Sequence, residues 1–137
     1  MTIGWFMKAL TQFADFHSRA RRREFWWFMF IEWFVIWFLV AMSAAMAASS
    51  GAIADGEIET GSLTVSFWIF YFAAMVAALA LIVPHFAVSV RRMHDTGRSG
   101  AWAIFLLFIP IVVLIIALFD GDAQPNKYGP DPKELER

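Results

Sequence analysis

The sequence predicts an all-α integral membrane protein: three transmembrane helices preceded by an amphipathic, interfacial N-terminal helix. Two observations carry this. Apolar residues make up 60% of the 137 and charged residues 17%, against about half and a quarter in soluble domains. The apolar excess is gathered into Phe25 to Ala48, Leu63 to Val90 and Ala101 to Phe119, each near or above the ~18 to 20 residues that cross a hydrocarbon core as helix. Helices apolar on every face would need, in water, a surrounding core that the remaining residues cannot supply.

Charge is sorted by segment. Met1 to Glu24 carries five cations (Lys8, Arg19, Arg21, Arg22, Arg23), Ala47 to Ser62 none, Arg91 to Gly100 three, and the tail after Phe119 three against five acids. By the positive-inside rule the N-terminus is expected in the cytoplasm and the C-terminus outside, on the periplasmic face. The organisation expected is a basic leader (1–24), a three-span domain (25–119) and a polar Gly/Pro-rich tail (120–137). Ala45, Met46 and Ala47 form an A-x-A pattern, but the apolar run before them is about twice a signal-peptide core, so the segment reads as a retained anchor. The absence of cysteine excludes disulfides, thiolate metal sites and iron–sulfur clusters.

In the leader, Trp5, Phe6, Leu10, Phe13 and Phe16 recur at helical spacing while Lys8, Gln12 and Asp15 fall elsewhere, predicting the interfacial helix. Arg21, Arg22 and Arg23 then meet Phe25, Trp26 and Trp27, the charge and aromatic pairing of a bilayer entry. Arginine clusters also bind nucleic acid, but one pressed against a span is better explained by anionic headgroups, worth about 1 kcal/mol per charge; no nucleic-acid partner is expected. Farther on, Ala41, Ala44, Ala45 and Ala48 face Ala73, Ala74, Ala77 and Ala78 as small-residue stripes that let two helices approach. Pro84 and Pro110 predict kinks, freeing the carbonyls of Ala80 and Leu106. The stretch "SSGAIADGEIETGS" reads as an external connector. Asp120 and Asp122 resemble the start of a calcium loop, but Pro125 stands where the glycine is needed and no bidentate Glu follows.

The stretch "SVRRMHDTGRSGAW" concentrates the chemistry. Its Asp95-Thr96-Gly97 matches the aspartic-protease tripeptide without the second carboxylate or the β-rich fold such enzymes need. His94 and Asp95 suggest a metal hydrolase, yet only His17 and His85 exist besides to complete a ligand set. Two readings remain. Arg91, Arg92 and Arg98 around a turn at Gly97, with Ser99 capping the third span, form an anion or lipid-phosphate cradle; or Asp95 and Glu24 pair with arginines of this loop and of Arg21 to Arg23, fixing the loop. The second carries more weight. Glu32 and His85 stand separately as ionisable groups inside spans, roughly 8 to 10 Å below the cytoplasmic boundary, and mark a proton or ion path as the alternative function.

Taken in order, "SRARRREFWWF", "SVRRMHDTGRSG" and "NKYGPDP", separated by apolar runs, resemble the small bacterial inner-membrane proteins grouped as the domain of unknown function 805 family. The resemblance covers nearly the whole chain. It departs at His17 and Ser18, where the family usually has Gly, at Met93 for Leu, at Ala101 before Trp102, and in lacking a glycine after Pro110. It implies an inner-membrane location and supplies no catalytic residues. The function expected is a non-enzymatic membrane component without metal or cofactor. Its basic cytoplasmic face (Arg21, Arg22, Arg23, Arg91, Arg92, His94, Asp95, Arg98, with Arg19) engages anionic lipid, a second copy or a membrane-complex partner. The alternatives are a small transporter or envelope-homeostasis protein using Glu32 and His85, and a membrane-embedded metal-dependent enzyme.

Overall fold

The computed structural model describes residues 3–54, 57–58 and 62–134. Helix α1 spans Ile3–Thr11, α2 Arg22–Ser49 and α3 Val65–Asp95; a 3-10 turn at Gly100–Ile104 leads into α4, Phe105–Phe108, and α5, Pro110–Leu118. A two-residue ladder pairs β1, Ile53–Ala54, with β2, Glu57–Ile58. The helices α2 and α3, of 28 and 31 residues, are long and apolar enough to cross a membrane; at 1.5 Å per residue they run about 42 and 46 Å. The chain folds as two compact units, Met1–Phe30 with Ile82–Arg137, and Ile31–Leu81.

In the Ile31–Leu81 unit, outward side chains are apolar and large: Trp33, Phe34, Trp37 and Phe38 on α2, Trp68, Ile69 and Phe72 on α3. On the helices of this unit the buried small residues are Ser43, Ala47 and Ala74, with Ala77 and Ala78 half-buried, while Ala41, Ala44, Ala45, Ala48 and Ala73 are exposed. The expected alanine stripe is therefore rotated onto Ser43 and Ala47. The serine can occupy it because its hydroxyl donates to the Val40 carbonyl at 2.7 Å, leaving no orphaned polar atom. Gly51, at φ 73°, turns the chain out of α2. Asp55 and Glu59, acids of the expected connector, lie outside the described residues, as does Arg137.

The other unit begins with a leader helix shorter than its sequence pattern. Asp15 accepts the His17 and Ser18 amides at 2.9 and 3.1 Å and the Ser18 hydroxyl, a side-chain turn that competes with helix. Phe13 and Phe16, past the end of α1, are exposed. Phe6 stacks on Phe28 of α2 at 5.5 Å. The extended residues 19–21 then dock on the end of α3, the Ala20 amide donating to the Arg91 carbonyl at 3.0 Å.

The third apolar run departs most from expectation. No continuous helix forms over 101–119. Ile109 takes φ −141°, ψ 70°, as a residue before proline is driven out of the α region, and Pro110 opens α5 where its missing N–H costs least. The break is satisfied locally: the Ile109 amide donates to Phe105 O at 2.7 Å and its carbonyl accepts the Val112 amide at 3.0 Å. By contrast α3 continues through Pro84. The nine residues of α5 cover about 14 Å, under half of the ~30 Å hydrocarbon core.

Both ends of this run lie at the same place. A Cβ on Gly100 would meet Val90 at 2.7 Å and the His94 Nε2 at 2.9 Å, and one on Gly121 would collide with the Asp95 carboxylate. The Asp122 amide donates to the Asp95 carbonyl at 2.8 Å. The run thus leaves α3 and returns to it. The tail then binds the leader, Arg19 donating to the carbonyls of Asp122, Gln124 and Gly129. Leader and tail, expected on opposite faces of the bilayer, are thus in direct hydrogen-bond contact.

Gly100→Ala and Gly121→Ala should each destabilise the protein by about 1 to 3 kcal/mol, since the added methyl meets buried groups. Gly4→Ala, with nothing within 4 Å, should be neutral or gain up to about 1 kcal/mol. Thermal unfolding in mild detergent, followed by tryptophan fluorescence, measures the order.

Candidate functional site

The three charged motifs meet where α1, α2, α3 and the tail converge, as two buried ionic knots. In the first, Arg91 Nη1 donates to Glu24 Oε1 and to Gln12 Oε1, each at 2.6 Å, and Lys8 Nζ reaches Glu24 Oε2 at 2.8 Å. Glu24 and Arg91 are both fully buried. In the second, Asp95 receives Arg19 at 3.0 Å on one oxygen and Arg92 on the other. Arg92 also donates to the carbonyls of Phe119, Ala117 and Ala20, so one guanidinium closes the end of α5 and ties it to α3 and the leader. A helix C-terminus carries unsatisfied carbonyls and partial negative charge, which is why a buried cation is accommodated there.

Backbone carbonyls explain how the tail is held. Arg19 and Arg92, already paired with Asp95, have further N–H groups to place. Arg19 takes three carbonyls from residues 122 to 129, and Arg21 takes the Pro132 carbonyl. Asn126 donates to His94 O at 3.0 Å and Asp122 Oδ2 at 2.8 Å. Tyr128 stacks on His94, rings 3.7 Å apart and 5° from parallel, while His94 Nδ1 faces the Ser18 carbonyl at 3.3 Å.

The candidates separate into two groups. Arg91, Arg92, His94 and Asp95 are turned inward with the partners above. Arg98 is half-buried, its guanidinium over the Phe119 ring at 5.8 Å, and Ser99 caps the 3-10 turn through the Ala101 amide. Arg22 is half-buried and Arg23 exposed. With Arg21, Asp120 and Lys133 they line a cleft of about 350 Å³. Arg22 and Lys133 converge on Asp120 Oδ1 at 3.0 and 3.5 Å, and the hydrogen bond from Arg22, with the Lys133 charge, holds that exposed carboxyl below the ordinary range.

His85, on α3, meets Phe28 edge to face at 6.3 Å. Glu32 is buried in the Ile31–Leu81 unit. Among the described residues no three His, Asp or Glu side chains gather as a metal would require, and the Asp95 oxygens are held by two guanidiniums. Sequence reasoning anticipates the pairing of Asp95 and Glu24 with arginines. It misses Arg19 as the tail's anchor, and Asn126 and Tyr128 as its clasp, although the third motif contains both.

A family model described as "Protein of unknown function (DUF805)" matches residues 13–130. The Inner membrane protein YhaI of Escherichia coli K12 is 35% identical over 94% of this chain and 95% of its own length, and the Inner membrane protein YhaH of the same strain 33% over 96% and 98%. The Uncharacterized protein YiiR of that strain is 30% identical over 46% of this chain and 62% of its own. No solved structure matches. The chain belongs to the DUF805 family and is an inner-membrane protein.

Asp95→Asn leaves Arg19 and Arg92 buried without their carboxylate and should cost about 3 to 5 kcal/mol, whereas Arg22→Gln should leave the unfolding midpoint unchanged, its partner being solvated. Chemical unfolding in detergent reads both. Burial pushes the Asp15 carboxyl up, but the Ser18 hydroxyl, the His17 and Ser18 amides and the Arg91 charge win, bringing it to about 2. Its support of the leader turn should be complete above about pH 4, the unfolded value. It should fade as pH falls through about 2, visible as loss of protection of the Ser18 amide in hydrogen exchange.

Proposed function

We propose that this DUF805 protein is a non-enzymatic component of the bacterial inner membrane whose basic cytoplasmic face engages anionic lipid. Helices α2 and α3 make two full crossings. The run from Gly100 to Leu118 enters the membrane and returns, so leader and tail both lie in the cytoplasm. Irregular backbone at membrane depth is tolerated when its polar groups are satisfied within the protein, as those of Ile109 are. The outward Leu107, Phe108, Ile111 and Leu118 are suited to acyl chains. This topology keeps the two basic segments, the leader and Arg91 to Gly100, on one side, as the positive-inside rule requires.

The observation that carries the lipid reading is the sorting of arginines. Arg19, Arg91 and Arg92 are consumed by internal acids and carbonyls, while Arg23 is exposed and Arg22 half-buried, paired only with the exposed Asp120, one helical turn from Trp26 and Trp27. That places cations and interfacial aromatics at one level, where each charge gains about 1 kcal/mol near an anionic surface. The natural absence of cysteine makes single-site labelling clean. Thr11→Cys and Ala123→Cys should both react with a membrane-impermeant maleimide in inside-out vesicles and both be protected in right-side-out ones; opposite labelling would rule out the shared side. In nanodiscs of mixed composition, anionic lipid should be enriched around the wild-type protein over phosphatidylcholine, and less so as salt rises.

A further inference from the structure

The open cleft at the start of α2 has the chemistry of a specific site. Four cations, Arg21, Arg22, Arg23 and Lys133, and one carboxylate, Asp120, line it, a surplus of three positive charges (4 − 1 = 3). Guanidiniums offer planar forks matched to phosphate oxygens. Arg21 is nearly buried, donating to the Pro132 carbonyl and lying 4.7 Å over the Trp5 ring, so the floor of the cleft is fixed. Asp120 is exposed on 72% of its side chain and shares one oxygen between Arg22 and Lys133. It occupies the cleft as a tethered anion, without burying its charge.

A second cavity adjoins the first. It measures about 310 Å³ and is lined by Arg22, Arg23, Trp26, Trp27 and Phe30. Arg22 and Arg23 belong to both walls. A polar compartment and an aromatic one therefore meet across two arginines, at the first turn of a 28-residue helix whose positive end favours an anion. A soluble anion uses only the first compartment. A molecule with a phosphate on one end and hydrocarbon on the other uses both.

We infer that the cleft of Arg21, Arg22, Arg23 and Lys133 binds the phosphate headgroup of one anionic phospholipid, its acyl chains lying against Trp26, Trp27 and Phe30. This rests on the lipid reading above and narrows it to one stoichiometric site. Asp120 is the competitor: the incoming phosphate takes its place on Arg22 and Lys133, and the carboxylate swings into water.

Native mass spectrometry of the full-length protein released from detergent, with added phosphatidylglycerol, phosphatidic acid or phosphatidylcholine, tests this. The wild type should retain one anionic lipid in preference to phosphatidylcholine. Arg22→Gln with Arg23→Gln should weaken that retention about tenfold or more at an unchanged unfolding midpoint, and Lys133→Gln should weaken it less. Asp120→Asn should strengthen it, which a merely structural role for Asp120 would not do. Anionic retention that survives the arginine pair, or falls with Asp120→Asn, would overturn the site while leaving the general lipid reading intact. A wild type with no anionic preference would remove both. Displacement of the lipid by glycerol 3-phosphate would overturn the lipid assignment in favour of a soluble phosphate ester; retention in its presence supports the lipid.

Discussion

The structure depends on the cost of an uncompensated charge out of water. Arg91, Arg92, Glu24 and Asp95 lie with almost no solvent contact, and a carboxylate or guanidinium so placed is tolerable only if matched by opposite charge and hydrogen bonds. Apart from Arg92 with Asp95 within α3, the matches join segments far apart in sequence: Glu24 to Arg91, Arg19 to Asp95, Arg92 to the end of α5. A lattice made this way sets which segments meet. Hydrophobic burial does not, since lipid serves an apolar side chain as well as protein does.

The tail follows from the same constraint. A guanidinium has more N–H groups than one carboxylate can accept, so the remaining donors of Arg19 and Arg92 take carbonyls, and the segment after Phe119, with its glycines and prolines, has few carbonyls committed to helix or sheet. Its contact with Arg19 returns the chain to the leader, which is the basis for proposing that the third run does not cross. Pro110 makes the return possible by ending α4 and starting α5. The two halves are each too short to traverse the hydrocarbon.

Much of this was legible in the sequence and part was not. The two long helices, the aromatic entry at Trp26 and Trp27, the pairing of Asp95 with arginine and the cap at Ser99 follow from local rules of length, charge and capping. The break in the third run was not legible in its composition, which measures apolarity and is the same for a continuous helix as for one interrupted at Ile109. Helical spacing likewise carried the leader helix past Thr11, where Asp15 unwinds it. Arg19 and Arg23 are indistinguishable as letters, yet one is buried and one is open. Only the fold decides which cations are spent inside and which are left outside.

The most direct measurement of the central claim is a distance. Spin labels at Ala101→Cys and Ala123→Cys, in nanodiscs, bracket the third apolar run. If the ionic lattice returns that run to α3, dipolar spectroscopy should find the labels well under the ~30 Å thickness of the hydrocarbon core. A distribution centred at or beyond that thickness would mean that the segment crosses, and would contradict the account.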